Sequence, residues 1–262
     1  MNILIIGNSQ AGCLKKALDH SSESMFPTLK IADWIVTPGG TGPYLEIKDN
    51  KLVVTRSDPR FPPRFTPSSD ILDIDINQYS AIVICALGYI DGGFYYYNPI
   101  SADKYFPISS FAHNIVCENQ YPISQSCFKD VAKNRLSMQP GFMFFDELKR
   151  LYKGKIFVQP FPMLSSKIKT HENWHLAKIY EDPIPVNHFL LDLKDKFLND
   201  ICDYENIYLL PYPDESWRTS GFTPSEFILD SDYLHPNNLY GSLVLTQVEK
   251  LIDSMNQAQH IA

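Results

Sequence analysis

Short apolar runs alternate along this chain with segments whose apolar residues recur at every third and fourth position. Residues 3–6, 34–37, 81–86, 155–159 and 207–210 read as strands, and residues 10–18, 142–152, 186–202 and 239–255 read as helices with one apolar face. Strands that are apolar throughout, separated by helices, predict a mainly parallel sheet covered on both sides. The expected fold class is therefore α/β, a three-layer α/β/α sandwich.

Three stretches break the alternation and read as insertions, at roughly 41–70, 89–122 and 165–185. The first alternates around Asp49-Asn50, a hairpin pattern, and continues into the proline-rich loop "SDPRFPPRFTPSSD". The second carries "GGFYYYNP", too aromatic for a plain linker and too rich in turn residues for a single element. The third is "SSKIKTHENWHLAKIYEDPIP", between the fourth strand and the next long helix. There is no internal repeat, and one domain over residues 1–262 is the simplest organisation.

Composition narrows the class of function. The chain of 262 residues is long enough to bury an ordinary core without staples, and its formal charge of -7 argues against general nucleic-acid or anionic-membrane binding. No apolar run approaches the length of a bilayer span, and no leader-like segment precedes the first strand, so a cytoplasmic protein is expected. The cysteines, Cys13, Cys85, Cys117, Cys127 and Cys202, are scattered and lack CxxC spacing. They read as buried or half-buried free thiols, not as a disulfide framework or a zinc site.

Candidate chemistry lies at the two ends of the chain. In an open parallel sheet, ligands sit beyond the carboxyl ends of the strands, and Gly7-Asn8-Ser9 falls at such a place. Glycine permits the tight turn, and a serine that opens a helix exposes its side chain and keeps a free backbone N–H. Serine is also a common helix cap, and for this stretch alone capping is the simpler reading. The segment "ILDSDYLHPNNLYGSLVL" then places Asp232 and His235 three apart before the last helix. An aspartate within one turn of a histidine fixes the imidazole tautomer and leaves the other nitrogen for a nucleophile. Ser9 can be that nucleophile if the last loop folds over the end of the first strand. Asp230 is a rival for the aspartate role, on the same face of an extended segment but one pleat further away.

These blocks, in this order, resemble the SGNH/GDSL hydrolase superfamily. The resemblance implies a flavodoxin-like α/β/α fold and the activity of a serine esterase, lipase, carbohydrate deacetylase or O-acetyltransferase. It implies Ser9 as nucleophile, His235 as general base and then acid, and Asp232 as the group that orients the imidazolium. It further implies an oxyanion hole built from the Ser9 N–H, a glycine N–H after the second strand and an asparagine side chain after the third. The glycine is Gly39 or Gly40 in "PGGTG". At the asparagine the sequence departs from the family, because Gly88-Tyr89-Ile90-Asp91 carries Ile90 there, and an isoleucine side chain donates no hydrogen bond. Loss of one such donor typically costs about a hundred- to a thousandfold in rate. Asn98 and the N–H of Gly88 or Tyr89 are the candidate replacements.

Three other features compete for attention. "HENWH", His171 to His175, matches the H-E-x-x-H spacing of zinc proteases, but it lies in a polar insertion and lacks the longer metzincin pattern. A chance match on a solvated or lid segment is expected, with no metal. The tract Phe94-Tyr95-Tyr96-Tyr97 could stack on a sugar or line an acyl pocket, or simply pack its loop onto the sheet. Arg218 could hold an anionic substrate group, although an exposed surface arginine is the simpler expectation.

The sequence thus points to a serine hydrolase acting on small acyl esters, with carbohydrate O-acetyl groups as the substrate class suggested by the resemblance. An O-acetyltransferase of polysaccharide assembly, using the same serine and acetyl-CoA, and a non-catalytic SGNH-like binding protein are the alternatives. The expected partner is a small-molecule or carbohydrate ester, with no nucleic acid and no membrane span.

Overall fold

The computed structural model describes residues 2–21, 25–36, 45–49, 51–54, 73–87, 108–111, 121–172, 174–230 and 232–259. Its first strand, β1 (Asn2–Gly7), is buried from Ile3 onward. Burial on both faces of a strand requires a layer on each side of the sheet. Along the chain follow β2 (Lys30–Val36), β3 (Leu45–Lys48), β4 (Lys51–Val54), β5 (Asp73–Asp75), β6 (Ala81–Leu87), β7 (Lys155–Pro160) and β8 (Ile207–Leu209). The helices are α1 (Gly12–His20), α2 (Gln125–Ser137), α3 (Pro140–Leu151), α4 (His175–Ile179), α5 (Ile184–Cys202), α6 (Glu215–Ser220) and α7 (Asn238–Gln259).

Five strands form one all-parallel sheet in the order β2-β1-β6-β7-β8. Counted by themselves these strands run 2-1-3-4-5, the flavodoxin-like winding, whose direction reverses between β1 and β6. Side chains alternate between the two faces as the strand period of two requires. Ile3, Ile5, Val83, Cys85 and Phe157 face a core shared with Leu14 and Ala17 of α1 and Val244, Leu245 and Val248 of α7. Leu4, Ile6, Ile82, Ile84 and Val158 face the opposite core, with Phe142, Phe145 and Leu148 of α3 and Phe197 and Leu198 of α5. The result is the expected three-layer α/β/α sandwich. Truncating one of these fully buried side chains, Leu4→Ala for example, costs about 2–5 kcal/mol in such a core.

The insertions are more organised than the sequence pattern indicates. The hairpin of β3 and β4 gains a third strand, β5, and Leu45, Ile47, Leu52 and Ile74 join the α3 side of the core. Residues 108–111, α2, the segment around Ile168, Trp174 and Tyr180, and the first half of α5 share a separate core that includes Phe128, Val186, Leu190 and Phe222. Helix α2 escaped the periodicity reading because it buries only Phe128, Ala132 and Leu136. Ser124 caps it by accepting from the Cys127 N–H at 3.1 Å. Among the described residues no helix is long and apolar enough to cross a membrane.

Candidate active site

Strand β1 ends where the winding reverses, between β2 on one side and β6 on the other, and the chain turns there with Gly7-Asn8-Ser9. Neighbouring side chains leave no room for a Cβ at Gly7. A Cβ there would lie 2.7 Å from the Cβ of Cys85 and 3.0 Å from that of Ala11. Opposite, β6 carries an extra residue, since Ile84 pairs with Val158 but Leu87 pairs with Pro160. Within this bulge Ala86 adopts φ 60°, a left-handed conformation that costs an alanine about 1–2 kcal/mol. Bulges and strained residues of this kind concentrate beside functional sites.

Asn8, not Ser9, caps the turn. The buried Asn8 side chain accepts from the Gln10 N–H at 2.9 Å, and its carbonyl accepts from the Ala11 N–H at 2.9 Å, closing the short 3-10 turn Ser9–Ala11 that leads into α1. The cap function that the sequence offered to Ser9 is therefore already filled. Ser9 is exposed, its Oγ lies 3.1 Å from Nε2 of His235, and its N–H heads the turn, where helical N–H groups lack intrahelical partners.

His235 arrives from the other end of the chain, on a loop closed upon itself. Ile228 and Pro236 form an antiparallel bridge, the Leu229 N–H donates to the His235 carbonyl at 3.0 Å, and the Asp232 N–H donates to the Leu229 carbonyl at 3.0 Å. Asn237 then starts α7. Its Oδ1 accepts from the N–H groups of Leu239 and Tyr240, while its Nδ2 donates to the Glu226 carbonyl at 2.7 Å. The position of α7 is fixed by Gly241, where an added Cβ would come within 2.2 Å of the Cys13 carbonyl oxygen in α1. The two helices touch backbone to backbone.

Asp232 completes the line. Its Oδ2 lies 2.5 Å from His235 Nδ1, and its Oδ1 accepts from the N–H groups of Tyr233 and Leu234 at 2.7 Å each and of His235 at 3.3 Å. Partial burial pushes the carboxyl pKa up, but the Leu234 N–H, the imidazole and the Tyr233 N–H outweigh it and hold the group below its usual value. An ionised carboxylate only accepts, so Nδ1 carries the proton and donates to it. In that tautomer Nε2 presents a lone pair to which the Ser9 hydroxyl can donate. Such an arrangement can draw a proton from Ser9 and stabilise the imidazolium that results. Asp230 is exposed and contributes its backbone carbonyl to Lys167 Nζ at 3.3 Å. Asp232 is the carboxylate on the imidazole.

The oxyanion candidates Gly39, Gly40, Gly88 and Asn98, together with Tyr89, Ile90, Asp91 and the tract Phe94-Tyr95-Tyr96-Tyr97, lie outside the described residues, as does Cys117.

Two features depart from the sequence reading. Arg218 is half-buried, not a plain surface arginine: its Nε donates to Asp195 Oδ2 at 2.7 Å and its Nη2 pairs with Asp192, so two carboxylates already occupy it. Cys127 is exposed, whereas Cys13, Cys85 and Cys202 are buried. Burial pushes the Cys13 and Cys202 thiols up to about 12, far from reactive thiolates.

The "HENWH" spacing does not form a zinc-protease helix. His171 follows the 3-10 turn Ser166–Thr170, and α4 begins only at His175, so the two histidines do not occupy successive turns of one helix. Among the described residues no group of three or more His, Cys, Asp or Glu side chains is placed to hold a metal. His171 instead packs against Tyr233 of the loop that carries Asp232 and His235, with 4.6 Å between ring centroids. No protein-family model and no curated protein sequence matches the chain.

Proposed function

We propose that this chain is a serine hydrolase that cleaves small acyl esters. One observation carries the reading: the hydrogen-bonded line from Ser9 Oγ through His235 to Asp232, assembled across 226 positions at the ligand edge of the sheet. In this reaction Ser9 Oγ attacks the acyl carbon while its proton passes to His235 Nε2, and Asp232 balances the imidazolium. The Ser9 N–H is one donor to the oxyanion of the tetrahedral intermediate. The intermediate collapses, His235 returns the proton to the departing alcohol, and an acyl-Ser9 ester remains. Water, deprotonated by Nε2, then releases the acid and restores the serine.

The substrate class we infer, an O-acyl group on a carbohydrate, rests on the resemblance of the Gly7-Asn8-Ser9 and Asp232-x-x-His235 blocks to SGNH hydrolases. The test is labelling by a fluorophosphonate probe and turnover of p-nitrophenyl acetate, wild type against Ser9→Ala. Ser9-dependent labelling and turnover are expected. Loss of neither signal in the variant, or absence of both in the wild type, would overturn the reading. Acyl transfer from acetyl-CoA to a sugar acceptor that outpaced hydrolysis would reassign the same serine to an O-acetyltransferase.

A further inference from the structure

The third insertion lies against the loop of the candidate site. The segment from Ser165 to His171 runs alongside the loop that carries Asp232 and His235 and touches it at three levels. The Ser165 N–H donates to the Tyr233 carbonyl at 2.9 Å. Lys167 Nζ donates to the carbonyls of Leu229 at 3.4 Å and Asp230 at 3.3 Å. The His171 imidazole packs on the Tyr233 ring at 4.6 Å and 47°.

These contacts bracket Asp232. The Leu229 carbonyl that Lys167 contacts also receives the Asp232 N–H, and the peptide whose Tyr233 carbonyl accepts from Ser165 gives its Leu234 N–H to Asp232 Oδ1 at 2.7 Å. A shift of either peptide would therefore move the carboxylate, and with it the imidazole that must meet Ser9. The segment has footings of its own. Ile168 is buried in the core it shares with α2 and α5, Ser165 is fully buried and bridges to Thr223, and the Ser165 Oγ accepts from the Lys167 N–H at 3.2 Å.

We infer that Lys167 and His171 are positioning residues that hold the Asp232–His235 pair in register with Ser9, acting through Leu229, Asp230 and Tyr233. The kinetic part of this inference rests on the serine-hydrolase reading, and a spectroscopic part does not. His171 is exposed, so its replacement carries little risk to folding. Misplacing a catalytic group by about 1 Å can cost on the order of a hundredfold in rate.

The experiment compares Lys167→Met, Lys167→Arg, His171→Ala and His171→Phe in the full chain. Two readouts are followed: the rate of fluorophosphonate labelling at Ser9, and the proton NMR signal of His235 Nδ1–H, assigned by its loss in Asp232→Asn. Lys167→Met and His171→Ala are expected to slow labelling about tenfold or more. The Nδ1–H signal broadens in both, while KM for p-nitrophenyl acetate is unchanged. Lys167→Arg, which restores a cation, and His171→Phe, which restores a ring on Tyr233, recover both readouts. Wild-type labelling and an unaltered signal in Lys167→Met and His171→Ala would overturn the inference. If the wild type never labels at Ser9, the hydrolase reading fails, and the Nδ1–H signal alone decides the positioning role.

Discussion

Gly241 and Cys13 bring the last helix into backbone contact with the first. No side chain fits between them, since a Cβ on Gly241 would lie 2.2 Å from the Cys13 carbonyl oxygen and 2.6 Å from its carbon. Cys13 stands four residues after Ser9, and Gly241 stands six residues after His235. This contact therefore links the approach of Ser9 and His235 to the packing of α7 on α1.

Gly241→Ala tests that relation. Alanine is favoured over glycine within a helix by about 1 kcal/mol, but the clash is with backbone, and overpacking of this kind costs about 1–3 kcal/mol. The expected result in urea denaturation is net destabilisation, accompanied by slower labelling of Ser9. A variant more stable than wild type, with unchanged labelling, would show that the close approach of α1 and α7 does not depend on this glycine.

Asn8 gives a second separation of roles. Asn8→Ala removes the oxygen that accepts from the Gln10 N–H, and loss of a helix cap costs about 0.5–2 kcal/mol. Asn8→Asp keeps an acceptor of the same shape. Stability is expected to fall in the alanine variant and to stay within about 0.5 kcal/mol of wild type in the aspartate variant. Equal losses in the two, measured by chemical denaturation, would deny the cap.

Asp232→Asn addresses the pH dependence. The folded-state pKa of this carboxyl lies below its usual value. Its contribution to stability is therefore complete above the unfolded value of about 3.9 and is lost as pH falls through the lower, folded value. The stability difference between wild type and Asp232→Asn is expected to be larger at pH 5 than at pH 2.5. If Ser9, His235 and Asp232 act as proposed, labelling of Ser9 at neutral pH should fall by roughly ten-thousandfold, the effect of the same change in established serine triads, because the amide favours the wrong tautomer.

Lys194 supplies an alkaline counterpart. Its side chain is 2% exposed, its Nζ donates to the Phe161 carbonyl at 2.9 Å and lies 5.1 Å from the centre of the Tyr212 ring. Burial pushes the ammonium down to about 8, with Asp195 opposing that shift and Arg218 adding to it. Between pH 8 and about 10.4 the unfolded chain holds a proton that the native protein has released, so this group makes stability rise with pH across that window. Cys13 and Cys202, pushed up to about 12, act in the opposite sense in wild type and variant alike. The difference between wild type and Lys194→Met therefore isolates the rise. A difference that stays flat from pH 7.5 to 10.5 would rule it out.

The parallel sheet and its two covering layers were legible in the chain because each rests on local periodicity. Ile3 to Ile6 and Ala81 to Leu87 are apolar at every position, which is what a strand buried on both faces needs. The positions of α3, α5 and α7 followed from apolar residues at helical spacing, although α7 runs on to Gln259, beyond the periodic stretch 239–255. Elements with a thin signal escaped. Strand β5 has three residues, and α2 shows the core only Phe128, Ala132 and Leu136. Nor does any local pattern reveal that parts of the second and third insertions share one core, because Ile108, Phe128, Ile168 and Val186 come from separate stretches of sequence.

At the site the division is similar. The types of residue and the three-residue spacing of Asp232 and His235 could be read directly, since one turn suffices to bring a carboxylate to an imidazole. Sequence alone could not decide between Asn8 and Ser9 as the cap, because either side chain can accept from a backbone N–H two residues on. The hydrogen bond from the Gln10 N–H to Asn8 Oδ1 settles it. Equally hidden were the pairing of Arg218 with Asp192 and Asp195 and the contacts of Lys167 and His171 with the Asp232 loop.

What the sequence determined by itself was therefore whatever depends on near neighbours: strand and helix periods, the turn after β1, and the Asp232–His235 pair. What tertiary structure decided was the meeting of Ser9 with His235. Their 3.1 Å contact depends on the sheet winding that puts β1 at the reversal point and on the glycine that lets α7 lie against α1. No spacing along the chain encodes a distance across 226 positions, because that distance is fixed by how the layers pack.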